Sequence, residues 1–153
     1  MTARRARSAE EEAEHLLQLY EDNVPAVLAI LQSQLSSVAS RAQMLLQLAG
    51  LTITVTGFSG ASIARSGKPA AVLVVSGLVV VLIAASQSLG GILRIRWMTQ
   101  LAPCSPRETV VAAIRLRDDK TRVFSRSLAL LIVGLALYIG SVALLLLWNL
   151  PAQ

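Results

Sequence analysis

The 153-residue chain is 54% hydrophobic and only 15% charged, whereas a soluble domain carries about a quarter charged residues, so a soluble fold with an ordinary polar surface is excluded. Its net charge of +5 would suit nucleic acid, but the Lys and Arg residues bracket the apolar stretches, the pattern of topogenic charge and of attraction to anionic lipid headgroups. Membrane lipids are therefore the expected partner and no nucleic-acid polymer is.

Residues 1–43 read as a cytoplasmic helical region. Ser8 can cap a helix with Glu11 returning the bond, and Glu10, Glu11 and Glu12 fall in its first turn, where the helix dipole favours negative charge. Leu16, Leu17, Leu19 and Tyr20 supply apolar surface before Glu21-Asp22-Asn23 breaks the pattern. Asn23 or Val24 then caps a second helix with Pro25 in its first turn. His15 has no Cys or second His nearby, so no metal is expected. The first apolar run begins after residue 43, too late for a secretory signal, and the first span itself is expected to direct insertion.

Three segments, 44–64, 70–93 and 127–148, contain no Lys, Arg, Asp or Glu, and each is long enough to cross a hydrocarbon core of roughly 30 Å as a helix. Lipid offers no partner to free backbone groups. The expectation is an all-α integral membrane protein with three transmembrane helices and cytoplasmic helical extensions. Between residues 24 and 64 there is no Pro after residue 25 and no Gly before residue 50, so one helix of roughly 60 Å is expected there. Along it Leu28, Leu31, Leu35, Val38, Ala42, Leu45, Ala49, Thr52, Thr56, Ser59 and Ile63, with Gly60 beside them, alternate by three and four residues. That is the seam of a left-handed coiled coil. It changes from large aliphatic to small and hydroxylated, as expected where close backbone packing replaces water-driven burial. Two uses are open: association between protomers, giving a homo-oligomer or a larger membrane complex, or packing within the chain against the helix leading into the third span.

The first span is the most polar, with Gln47, the five hydroxyls of Thr52, Thr54, Thr56, Ser59 and Ser62, and Gly50, Gly57 and Gly60. Helix packing explains such a composition, and a water-lined pore is the alternative. Gln47 and Gln87 are placed at a similar depth and could bond each other, while Tyr138 needs an acceptor and could reach a first-span threonine. The spans hold no ionisable carboxylate, Lys, Arg or His, so a proton relay or ion pair is not expected. In the second span a Val-rich centre suits lipid, and Gly90-Gly91 permits a kink or a close crossing.

Residues 94–126 form a cytoplasmic basic loop and helix, and residues 149–153 an external tail. Ser105-Pro106-Arg107-Glu108 combines cap, first-turn proline and capping-box acid. Asp118-Asp119-Lys120 is either a solvated face, with Asp118 reaching Arg122, or a local break. Lys and Arg number twelve on the side of the N-terminus and the 94–126 segment against Arg65 and Lys68 on the other, and nine against two with the three N-terminal arginines set aside. The positive-inside rule then puts the N-terminus in the cytoplasm and the C-terminus outside. Trp97 and Trp148 suit the headgroup level. Cys104 is the one cysteine, so no intrachain disulfide forms.

The run Arg41-Ala42-Gln43-Met44-Leu45-Leu46-Gln47-Leu48-Ala49-Gly50 after a cytoplasmic helix, then two further spans with an Asp119-Lys120-Thr121-Arg122 lead-in, resembles the small transmembrane effectors of cyclic-pyrimidine anti-phage defence (Pycsar). The likeness covers most of the chain through its hydropathy layout. It implies signal-triggered self-association that impairs the inner membrane. The chain departs from the family where Ser40-Arg41-Ala42 stands in place of an Asp-x-Lys-Ala stretch, and it shows no separate nucleotide-sensing domain. From the residues themselves, the expected function is a non-enzymatic helical membrane module acting by self-association or as a small subunit of a complex. The effector and a passive channel are the alternatives. No nucleophile–base pair, metal set or cofactor loop is readable, so neither catalysis nor a cofactor is expected.

Overall fold

The computed structural model describes residues 8–65, 67–93 and 105–148. Of these, 94% are helical and none lies in a strand. The order is α1 (Ala9–Leu19), α2 (Val24–Ala64), α3 (Lys68–Leu93) and α4 (Pro106–Trp148). The last three are each long and apolar enough to cross a membrane. The expected external tail, the 99–104 loop with Cys104, and Arg94, Arg96 and Trp97 lie outside the described residues.

Local chemistry sets the helix ends. Ser8 Oγ accepts from the Glu11 N–H at 3.2 Å and starts α1. Its far end carries the two bonds of a Schellman motif, Asp22 N–H to the Leu17 carbonyl at 2.9 Å and Glu21 N–H to the Gln18 carbonyl at 3.4 Å. Glycine normally occupies the left-handed position that follows such a cap. Here Glu21 (φ 49°) and Asp22 (φ 59°) do, a conformation that costs a residue with a Cβ roughly 1–2 kcal/mol. Asn23 Oδ1 then accepts from the Ala26 N–H at 3.2 Å, so α2 starts at Val24 with Pro25 in its first turn. At the start of α4 the capping box closes in both directions. Ser105 N–H donates to Glu108 Oε2 at 2.9 Å, and Glu108 N–H donates to Ser105 Oγ at 3.3 Å.

No break interrupts α4 at Asp118-Asp119-Lys120; the helix runs 43 residues. Asp118 does not reach Arg122. It accepts instead from Arg117, at 3.0 Å from Nε and 2.7 Å from Nη2, because the Arg117 fork offers two parallel donors next door.

The chain divides into two compact units, one from Met1–Ser40 and Arg94–Arg122, the other from Arg41–Leu93 and Val123–Gln153. In the first, α1 buries Ala13 and Leu17 against Val27 and Leu31 of α2 and Val110, Ala113 and Ile114 of α4. Leu31 and Ile114 are wholly covered, each worth about 1.5–3 kcal/mol of burial.

In the second unit, Leu45 and Ala49 of α2 meet Val81 and Ala84 of α3 and Leu131 of α4. Further along, Ile63, Ala70 and Val74 form another cluster with Tyr138 and Val142 beside it. Glycine lets α3 and α4 close on each other. A Cβ on Gly77 would lie 3.0 Å from the Gly134 carbonyl oxygen, and one on Gly134 only 2.6 Å from Val81 Cγ2. Gly91 repeats the device, with Val123 Cγ1 at 3.1 Å from its would-be Cβ. Gly90 meets nothing, so of the Gly90-Gly91 pair one member makes the close crossing.

Candidate functional site

The coiled-coil seam of α2 is packed inside the protomer. Leu31, Ala42, Leu45, Ala49, Thr52, Thr56 and Ile63 are buried, as is Gly60, while Leu28, Leu35, Val38 and Ser59 are half-buried. The covering residues come from α3 as well as α4. Side chains already covered leave a second protomer nothing to bury, so the seam's inner members are structural within the chain.

Its hydroxyls are satisfied locally. Thr52 donates to the Leu48 carbonyl at 2.9 Å and Thr56 to the Thr52 carbonyl at 2.8 Å. Tyr138 finds Ser59 at 3.0 Å rather than a threonine. Ser59 Oγ also reaches the Val55 carbonyl at 2.8 Å, so the serine donates along its own helix and keeps a lone pair for the phenol.

Gln47 and Gln87 are not brought together. Both are exposed, and neither forms a hydrogen bond with the described residues. Of their serine neighbours, Ser86 is exposed and Ser88 is buried, and the hydroxyls of Ser88 and Ser127 are unpartnered. No compact polar site forms from these groups.

The opposite face of α2 carries the unexpected feature. Gln43, Gln47, Gly50, Thr54, Gly57 and Ala61 also repeat by four and three, and every one is exposed. A Cβ on Gly50 or Gly57 would meet no atom within 4 Å. Beside this shallow row stands a ridge of large side chains, Met44, Leu48, Leu51, Val55 and Phe58, the last 86% exposed. One helix thus presents a groove and a ridge side by side. The same residues were visible in the sequence as an unusually polar and glycine-rich span, but both faces share the three-four period, and periodicity alone does not say which is covered.

The best-connected polar group lies in the first unit. Arg117 holds Glu12 with both ends of its fork, at 2.6 and 2.9 Å, touches Gln34 Oε1 at 3.2 Å, and bonds Asp118, thereby tying α1 and α2 to α4. Hydrogen bonding to Glu12 raises its already high pKa further, against the effect of burial. Glu10 pairs with Arg115, and Glu14 with Arg107 at 3.3 Å. The Glu10 carboxyl is held below its ordinary value by its own backbone N–H first and by Arg115 next. Glu108 is lowered by the Ser105 backbone N–H and then the Ser105 hydroxyl, while burial lowers Lys120. An open groove of about 580 Å³ lies between Leu17, Gln18 and Asp22 on one side and Ser105, Pro106 and Arg107 on the other. Among the described residues no cluster of three or more metal-ligating side chains occurs.

No protein-family model, curated protein or solved structure matches this chain. Its fold defines its class: an all-helical protein with three helices able to cross a membrane.

Proposed function

We propose that the protein is a non-enzymatic helical membrane module that works by self-association through the outward face of α2, in a bacterial inner membrane with its N-terminus cytoplasmic and its C-terminus external. The charge asymmetry about the spans supports the orientation. The outward face of α2 carries the association. Exposed Gln47 and Thr54 and bare Gly50 and Gly57 lie in a stretch whose depth is apolar. An amide with no partner there is unfavourable, and small residues let a second backbone approach closely. A second copy is favoured over a foreign helix because the ridge and the groove sit on the same helix. Two copies inserted in the same sense can each place a ridge in the other's groove, with Gln47 at equal depth in both.

The test is the mass of the detergent-solubilised particle by light scattering, corrected for detergent. The wild type is expected to exceed one protomer. Gln47→Leu should weaken association roughly threefold to twentyfold, the equivalent of about 0.6–1.7 kcal/mol for an interhelical hydrogen bond. Gly57→Leu should weaken it by obstructing close approach, and Val79→Leu on the exposed side of α3 should leave it unchanged. A wild type that is monomeric in several mild detergents and uncrosslinked in native membranes would overturn the proposal. A stable foreign partner in constant ratio would replace it with the accessory-subunit reading, and growth arrest on expression would make the module a membrane-impairing effector. For orientation, a cysteine at Ser66 should label from outside and Cys104 only after permeabilisation; the reverse would invert the topology.

A further inference from the structure

We infer that α1 is an exchangeable latch, whose seat on α2 and α4 is filled either by α1 of the same chain or by α1 of a second copy. This rests on the self-association proposed above and names a second contact between the copies.

Three observations carry it. The first is that α1 has only 11 residues, too few to hold a helix alone in water. Its stability comes from the seat, where Ala13 and Leu17 cover Val27, Leu31, Val110, Ala113 and Ile114.

The second is chemical complementarity. Within its helical span α1 bears Glu10, Glu11, Glu12 and Glu14 and no Lys or Arg, whereas the seat presents Arg107, Arg115 and Arg117 to three of those acids. Two α1 helices repel each other, and so do two empty seats. The matching occupant of a vacated seat in a neighbouring copy is another α1, and every contact made within the chain is reproduced between chains.

The third is the connector. Glu21 and Asp22 hold positive φ in the closed form, so opening relieves strain, and short strained hinges favour exchange. Pro25 lacks the N–H needed to fuse α1 and α2 into one rod. An opened connector of four residues therefore stays a flexible arm, reaching at most about 14 Å. Exchange is confined to copies already in contact.

The experiment uses two full-length forms with different tags, both Cys104→Ser, one carrying Glu10→Cys and the other Arg115→Cys, co-expressed and treated in native membranes with a short bis-maleimide. Both positions lie on the exposed rim of the seat, so its apolar core is left intact. The expected result is a bridged pair carrying both tags, whose yield falls severalfold when Glu21→Gly and Asp22→Gly relieve the closed hinge. If the two forms co-purify but bridging occurs only within a third form that carries both cysteines in one chain, exchange is overturned and self-association stands. If the two forms do not co-purify, both are overturned.

Discussion

The two units bury different kinds of side chain. The first covers Leu17, Leu31, Val110 and Ile114 and rims them with three Arg–Glu pairs between α1 and α4. The second relies on small residues at a close crossing, Gly77 and Gly134 between α3 and α4, and on hydroxyls that bond their own helix. Where water is the competitor, removing apolar area from it stabilises packing. Where lipid is the competitor, that gain vanishes, and contact distance and paired polar groups decide. Helices α2 and α4 supply residues to both units, so a single helix changes its packing chemistry along its length.

The largest expected effect is in the first core. Leu31→Ala leaves a cavity among fully buried neighbours and should destabilise that unit by about 2–5 kcal/mol, read by hydrogen exchange of the α1 and early α4 amides. The corresponding change in the second unit is an addition. Gly134→Ala forces a Cβ to 2.6 Å from Val81 and should destabilise by about 1–3 kcal/mol, whereas Gly50→Ala, which meets nothing within 4 Å, should not lower the protomer's stability. Equal responses at Gly50 and Gly134 would remove the contrast between covered and open glycines.

Smaller effects come from the polar rim. Arg117→Met strands half-buried Glu12 and frees Gln34, an expected loss of about 1–3 kcal/mol once partial exposure is allowed for. Acid should weaken two other contacts of this unit. Because the Glu10 and Glu108 carboxyls are lowered in the folded state, their stabilisation is complete above the ordinary carboxylate pKa of about 4.3. It is lost as pH falls through the lower folded values. Melting followed by circular dichroism in steps below a pH of about 4.3 should show an acid limb that Glu108→Gln flattens; an unchanged limb would show that the Glu108 carboxylate does not contribute.

Much of this architecture is legible in the residues. Ser8, Asn23 and the Ser105–Glu108 box mark helix starts because capping is local chemistry, and uncharged runs mark the spans because lipid tolerates little else. What escapes is register. That Gly77 faces Gly134, that Tyr138 meets Ser59 rather than a threonine, and that Gln47 and Gln87 are not bonded all depend on how neighbouring helices align. Likewise, α2 has two faces with the same period, and only the positions of α3 and α4 decide that Leu45, Ala49, Thr52 and Thr56 turn inward while Gln47, Gly50, Thr54 and Gly57 are left open.

The most direct measurement is a cysteine scan of α2 in native membranes, one cysteine at a time in a Cys104→Ser chain, with oxidation and non-reducing electrophoresis. Interchain disulfides are expected at positions 47, 50, 54 and 57, with little at positions 45, 49, 52 and 56, which face inward. Crosslinking that peaks at the inward positions, or none at any of the eight, would contradict association through the outward face of α2.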